Sequence, residues 1–338
     1  MKVALITGAN GMDARTLTHL LLAKNYKVIL TFRRNSLFEE ERIKSIFHHN
    51  PNLYLQLCDI SCQNSVNECI KSTLKNHNYI NELYLLAANS HVGDSFKNKE
   101  LAIQVNGQST YYFLESLHNF SPSTRTYFAA TSELFGGISS GALDESSCFH
   151  PRSPYAIGKS LGYNWMQFYK DTYGQFCSCG ILFNHSNTER SLDFFIRKVT
   201  NAAAKIALGK QSELNLGNLD FSRDEHWSDF GCEMMWAMLN HNTTPENYVI
   251  GTGTTHAGEE YLDLAFGHFN LKWRNHVVLD KSLIRPNEVV RLIADSRKAQ
   301  KELGWNPNRM SFSRHIDLMC SFDYQLEQGL NPERPKVL

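Results

Sequence analysis

The chain has 338 residues, 42% hydrophobic and 20% charged, with 34 basic side chains against 34 acidic ones. That is ordinary globular composition, enough for a sizeable core in one large domain or two closely joined ones. Zero net charge offers no footprint for nucleic acid or an acidic membrane surface, and neither is expected as a partner.

Apolar runs of strand length recur at residues 3–7, 28–32, 53–57, 83–87, 126–130 and 179–183, with helix-like stretches such as 14–24 and 108–118 between them. Continuous apolar strands alternating with amphipathic helices predict a parallel sheet covered on both faces. The fold class expected is therefore α/β, a doubly wound parallel sheet of Rossmann type. Beyond about residue 185 the rhythm changes: 194–209 reads as a long helix, LNLGNLD as a short strand and turn, 229–239 as a helix and 248–251 as a strand. The expected division is a dinucleotide-binding domain over 1–185, with segments around 220–255 returning to it. Residues 186–338 then form mainly a smaller substrate-binding lobe.

The first strand runs directly into Gly8-Ala9-Asn10-Gly11-Met12-Asp13-Ala14. Glycines at such a turn let the backbone approach a pyrophosphate, whose charge the following helix N-terminus stabilises. The second strand ends in Phe32-Arg33-Arg34-Asn35-Ser36, with two guanidinium groups and no carboxylate. A carboxylate there would serve a ribose 2′-hydroxyl, whereas Arg33 and Arg34 suit a 2′-phosphate, so NADP is the cofactor expected. Asp59, ending the third strand, suits either a hydrogen bond to an adenine amino group or a structural turn. In SPYAIGK, Tyr155 and Lys159 stand one helical turn apart on one face, and a neighbouring ammonium favours the phenolate that a general base needs. Thr131 and Glu133 lie upstream in Thr-Ser-Glu.

Eight cysteines (58, 62, 69, 148, 177, 179, 232 and 320) show no C-x-x-C pair and no zinc-type spacing, which suits free thiols in a reducing cytoplasm. The 14 histidines lack H-E-x-x-H spacing, and no metal is expected. The apolar run at 3–6 is too short for a signal-peptide core, and no stretch approaches the ~18 apolar residues of a membrane span.

The segments ALITGANGMD, FRRNS, LAANSHVGDSF, ATSELFGG, HPRSPYAIGKS, GILFNHSNTER, RKVTNAAAKIALG, LNLGNLDFSRD and RPNEV together resemble the extended short-chain dehydrogenases/reductases, and among them the GDP-mannose 4,6-dehydratases. The resemblance runs nearly end to end. It implies a hydro-lyase that oxidises the sugar at C4, eliminates water across C5 and C6 and returns hydride to C6, turning GDP-mannose into GDP-4-keto-6-deoxymannose. Tyr155 would take the 4-hydroxyl proton, Lys159 would hold charge and ribose, Glu133 would take the C5 proton, and Thr131 would hydrogen-bond the C4 oxygen. A glutamate at 133 argues for elimination over epimerisation or reduction, which need no base there.

By the same resemblance the cofactor contacts are Gly8, Asn10, Gly11, Met12, Asp13, Arg33, Arg34, Asp59, Ile60, Leu86, Ala87, Ala88, Ser90, Tyr155, Lys159, His185 and Arg190. Those to the GDP-sugar are Ser90, Glu133, Asn184, Lys198, Leu216, Asn218, Arg223, Arg285 and Glu288. A homodimer or homotetramer is implied. Other readings are a 4,6-dehydratase of another GDP-sugar, a nucleotide-sugar epimerase or reductase, and a non-catalytic NADP-binding sensor. The chain departs from the family pattern in places. Ala14 and Leu101 replace a glycine and a tyrosine, and Glu189-Arg190-Ser191 replaces R-R-G. Residues 225–230, read as a loop bordering the sugar site, are EHWSDF instead of W-G-H-A-x-D-Y.

Overall fold

The computed structural model describes residues 1–33, 37–136, 141–241, 243–284 and 286–337. Two of the expected ligand-binding residues, Arg34 and Arg285, lie outside the described residues. The chain divides into two compact units. One comprises Met1–Gly136, Cys148–Leu182 and Cys232–Tyr248; the other comprises Gly137–Ser147, Phe183–Gly231 and Val249–Leu338.

The first unit is built on strands β1 (Val3–Thr7), β2 (Lys27–Phe32), β3 (Leu53–Leu57), β4 (Glu82–Leu85), β5 (Arg125–Ala129) and β6 (Cys177–Leu182). With β10 (Tyr248–Ile250), whose first residue belongs to this unit, they form a seven-stranded sheet in the order β10-β6-β5-β4-β1-β2-β3. The pairings from β3 through to β6 are parallel, with Leu5 opposite both Ile29 and Leu83. Such strands are covered on both faces, which is why Val3 to Ile6, Val28 and Leu30 are continuously apolar and almost wholly buried. Each valine, leucine or isoleucine among them contributes roughly 1.5–3 kcal/mol on burial. The chain builds outward from β1 to β3, then resumes at β4 on the other side of β1. In sheets of this topology ligands bind beyond the carboxyl ends of the strands at such a reversal, here between β1 and β4.

The long helix Pro154–Tyr173 packs against a helical run of Lys99–Ile103, a π-turn at Gln104–Gln108 and Ser109–Phe120. The contact is close because Gly158 has no side chain: a Cβ there would lie 2.7 Å from the Ala102 carbonyl oxygen.

The second unit carries β7 (Asn184–Ser186), β8 (Leu214–Leu216), β9 (Ser222–Trp227), β11 (Thr255–Ala257), β12 (Val277–Leu279) and β13 (Arg291–Leu292). β9 is its hub, pairing antiparallel with β11 and parallel with β13 and β7, while β12 pairs with β8. Helices Phe195–Ala207, Gly258–His268 and Phe312–Glu327 pack together beside it. A buried ion pair, Arg197 Nη2 to Asp323 Oδ1 at 2.6 Å, joins the first of these helices to the last, and Thr200 Oγ1 donates to Asp323 Oδ2 at 2.7 Å. The helix expected at 229–239 is Ser228–Asn240, but the residues before it, 225–227, read as part of a loop, are instead the end of β9. Their polar letters conceal buried side chains, because neighbouring strands and helices supply partners that a local reading cannot see.

The described cysteines are all free, and six of the eight are buried. Cys177 and Cys179 are completely buried in β6, and burial pushes the Cys177 thiol up to about 12. Among the described residues no helix is long and apolar enough to cross a membrane.

Replacing Gly158 by alanine forces the helix Pro154–Tyr173 away from Ala102, so Gly158→Ala is expected to lose about 1–3 kcal/mol of stability. Urea unfolding checks this, and a loss below 0.5 kcal/mol would show that the helices accommodate the methyl group freely.

Candidate active site

Ser153 starts the helix carrying Tyr155: its Oγ accepts from the Ala156 amide at 3.1 Å, and Pro154 occupies the first turn, where a missing N–H is harmless. Tyr155 and Lys159 then fall on the buried face together with Gly158, Gly162 and Met166. Lys159 is 3% exposed, and its Nζ donates to the Ala129 carbonyl at 2.7 Å, at the carboxyl end of β5. Burial lowers its pKa to about 8, with the nearby Asp13 carboxylate opposing that shift.

Beyond Ala129 the chain enters a short 3₁₀ turn, Ser132–Phe135, capped by Thr131, whose Oγ1 accepts from the Glu133 amide at 3.2 Å. That leaves the Thr131 hydroxyl proton available to donate elsewhere. Ser132, Leu134 and Phe135 are buried, whereas Glu133 is half-buried at the turn's surface. One five-residue stretch therefore supplies the anchor of Lys159, a hydroxyl donor and a carboxylate. Such groups side by side suit proton transfer.

The glycine turn lies in the same unit. Gly8 has φ +90°, and a Cβ on it would stand 2.9 Å from Ala87 Cα, so only glycine permits this approach to the segment after β4. Thr7 Oγ1 accepts from the amides of Leu86 and Ala87, each at 3.0 Å. Helix Met12–Ala23 follows, with no side-chain cap on its first amides and Asp13 in its first turn. Gly11 donates to the Gly8 carbonyl at 2.8 Å, and Asn10 Oδ1 accepts from Arg42 at 2.9 Å. A helix start without a side-chain cap, beside a side-chain-free cradle, suits a dinucleotide pyrophosphate. Ala14 is buried where the third glycine often stands.

Arg33 is exposed after β2, and Ile60 is buried. Asp59 Oδ1 accepts from Ser61 N and Oγ, at 3.0 and 2.7 Å, so this carboxylate shapes its own turn. Asn106, not anticipated from sequence, lies in the π-turn and holds Asn89 from both sides: Asn89 N donates to its Oδ1 at 2.8 Å, and its Nδ2 donates to Asn89 O at 3.3 Å. It thereby fixes the loop of Ala88 and Ser90. The only local signal was an amide residue inside a helical pattern, where asparagine is a poor fit.

In the second unit, Asn184 and His185 lie on β7, and His185 Nδ1 is 2.8 Å from the Phe183 carbonyl oxygen. The Arg190 guanidinium lies 3.4 Å from the Phe194 ring centroid. Lys198 is exposed on helix Phe195–Ala207, Leu216 is buried on β8, and Asn218 Oδ1 accepts from Asp220 N at 2.9 Å. Arg223 and Glu288 are brought together as an ion pair at 3.6 Å, and Arg223 Nη1 also donates to the Val290 carbonyl at 3.2 Å. Next to Arg223, Asp224 is fully buried and accepts from Thr252 N, Thr252 Oγ1, Gly253 N and Ala294 N, knotting three segments at β9. Glu225 pairs in register with Asn184, and burial raises its carboxyl to about 7.

A lysine whose pKa is about 8 when folded and about 10.5 when unfolded carries an ammonium penalty that is full below pH 8 and shrinks as the pH rises toward 10.5. Lys159→Met removes that penalty. It is expected to unfold later than wild type at pH 7, by roughly 2–3 kcal/mol, with the gap narrowing by pH 10. Denaturant titrations at the two pH values decide this; an equal or reversed gap at pH 7 would show that the hydrogen bond to Ala129 outweighs desolvation.

A family model described as GDP-mannose 4,6 dehydratase matches residues 5–319. The chain is 36% identical over 346 residues to GDP-mannose 4,6 dehydratase 1 of Arabidopsis thaliana, covering 100% of this chain and 92% of that one. It is 34% identical over 353 residues to the Homo sapiens GDP-mannose 4,6 dehydratase, covering 96% and 92%. Among solved structures, a dTDP-glucose 4,6-dehydratase from Bacillus anthracis in complex with NAD superposes with a TM-score of 0.81 at 20% identity, covering 98% of this chain and 99% of that one. DesIV, a dTDP-glucose 4,6-dehydratase from Streptomyces venezuelae, likewise gives 0.81 at 22% identity, covering 97% and 98%. At such identities these likenesses concern the fold, whereas the full-length sequence matches reach further: the chain belongs to the GDP-mannose 4,6-dehydratase family.

Proposed function

We propose that this chain is a GDP-mannose 4,6-dehydratase, a hydro-lyase, working with NADP in the cytoplasm. The observation that carries the reading is the stretch from Ala129 to Glu133, which anchors Lys159 and presents Thr131 and Glu133 within one turn. A nicotinamide cofactor supplies a hydride acceptor for C4 and a hydride donor for C6. The side-chain-free cradle at Gly8 fits such a dinucleotide, and NADP is preferred to NAD because β2 ends in arginines without a carboxylate.

The protein's own groups handle protons. Tyr155 takes the 4-hydroxyl proton, with the Lys159 ammonium favouring the phenolate. Thr131 donates to the C4 oxygen, where charge accumulates when the ketone is enolised. Glu133 removes the C5 proton that the ketone acidifies and passes it to the C6 hydroxyl, which leaves as water; the proton held by Tyr155 returns at C5 when hydride is delivered to C6. In the second unit Asn184, Lys198, Leu216, Asn218, Arg223, Arg285 and Glu288 are assigned to the GDP-sugar, and His185 and Arg190 to the cofactor.

Homo-oligomerisation is also proposed. Ile157 and Phe168 are 49% and 44% exposed on helix Pro154–Tyr173. Being about three turns apart, they share one face, opposite that of Tyr155 and Lys159. Leu101 and Ile103, on the neighbouring helical run, are exposed as well. The double substitution Ile157→Glu/Phe168→Glu is expected to convert the assembly to a smaller species by light scattering, and an unchanged mass would place the interface elsewhere.

Incubation with GDP-mannose and NADP⁺ is expected to yield a sugar nucleotide lighter by one water, with no net NADPH. If no water is lost, the GDP-mannose assignment fails, and other GDP-sugars can be tested the same way. Glu133→Gln should lower turnover by about 10²–10⁴-fold while C4 oxidation stays detectable, and Tyr155→Phe should lose both steps. Normal dehydration by Glu133→Gln would remove that residue as the base.

A further inference from the structure

β9 ends in Glu225-His226-Trp227, within the stretch where the chain departs from the family pattern, so that pattern does not say what these side chains do. Together with Thr252, Trp305 and His315 they line a small pocket inside the second unit, with room for about one water. Trp227 and His315 are 1% and 2% exposed, and their ring centroids stand 5.0 Å apart at 73°.

Other polar groups around the pocket are already engaged. Trp305 Nε1 donates to the Gly251 carbonyl at 2.8 Å, and Thr252 Oγ1 donates to Asp224 Oδ1 at 2.7 Å. Ser311 Oγ accepts from the Arg314 amide, and Asn306 Oδ1 accepts from the Asn308 amide. The His226 ring stacks on His185 and meets Trp305 edge-on. The Glu225 carboxyl accepts from the hydroxyls of Tyr261 and Ser186, with the Arg190 and His185 charges acting on it. Trp227 Nε1 and His315 Nε2, in contrast, are buried with no hydrogen-bond partner among the described residues. A buried polar atom left in that state costs about 1–3 kcal/mol.

These two atoms have opposite needs. The indole N–H can only donate. Burial drives the His315 pKa down to about 3, so its ring is neutral near pH 7. Its bond to the Ser186 backbone favours the charged form, as a donated ring N–H does. With Nε2 unpartnered, that proton sits on Nδ1, and Nε2 presents a lone pair. A cation is repelled by the indole N–H, and an anion by the lone pair and the carboxyl. Water both accepts and donates, at about 2.9 Å on each side.

We propose that this pocket binds one internal water, which accepts from Trp227 Nε1, donates to His315 Nε2 and offers its second hydrogen to the Glu225 carboxyl. Three hydrogen bonds are typical of a buried water. The bridge ties the end of β9 to the first turn of helix Phe312–Glu327, through groups that neither element satisfies by itself.

A crystal structure of the full chain, at a resolution that shows ordered solvent, tests this. A single water within about 3.2 Å of both Trp227 Nε1 and His315 Nε2 is expected. A dry pocket, or a direct hydrogen bond between the two rings, would overturn the proposal. Trp227→Phe keeps an aromatic ring and removes the donor, so it is expected to lower the urea midpoint, as is His315→Phe. Their double variant should lose clearly less than the sum, because it removes both ends of one bridge. Additive losses would overturn the proposal as well, since they mean that the two groups answer to separate partners. Ring contact can also couple the pair, so non-additivity supports the bridge only together with the water. Should the variants fail to fold, the wild-type density decides alone.

Discussion

The hydrogen bond from Lys159 Nζ to the Ala129 carbonyl holds an ammonium almost completely out of water, at the point where β5 hands the chain to the turn bearing Thr131 and Glu133. Desolvating a lysine is unfavourable, so the group persists there only if its surroundings are rigid and oriented. The glycine at 158 allows helix Pro154–Tyr173 to close on the run beside it, and the parallel sheet fixes where β5 ends. The proposed acid–base chemistry depends on that one junction between helix and strand.

The second unit solves a different problem, which is burying charge among ligand-binding candidates. Asp224 survives complete burial by accepting from two amides and a hydroxyl of the 252–253 turn and from the Ala294 amide. Arg197 and Asp323 survive as a close pair, strengthened by Thr200. Removing one member of such an arrangement leaves its partner buried and uncompensated, which is far more destabilising than the arrangement is stabilising. Arg334 belongs to this pattern, pairing with Asp229 and Glu189.

Much of the first unit was legible in the sequence. The apolar runs at 3–7 and 53–57 coincide with β1 and β3, and the glycine turn sits where a strand hands over to a helix. Those features are short-range: side-chain period, helix propensity and the conformational freedom of glycine act within a few residues. Strand ends are less legible: β6 begins at Cys177, ahead of the apolar run at 179–183, because its first residues are buried by tertiary neighbours and not by local pattern. Asn106 was missed for the same reason, since its importance lies in Asn89, on a different element.

By itself, the sequence determined the α/β class, the glycine cradle, the Tyr155–Lys159 spacing and the family, all of which are written in local periodicity and contiguous motifs. Tertiary structure alone decided that residues 225–227 are buried strand and that Asp13 lies close enough to act on Lys159. It also decided that the carboxylates at Glu189 and Asp229 share a cation from the C-terminal tail. The physical reason is that the energy of a charge depends on what desolvates and pairs it. For Asp229 that partner stands 105 residues away, at a separation no local pattern encodes.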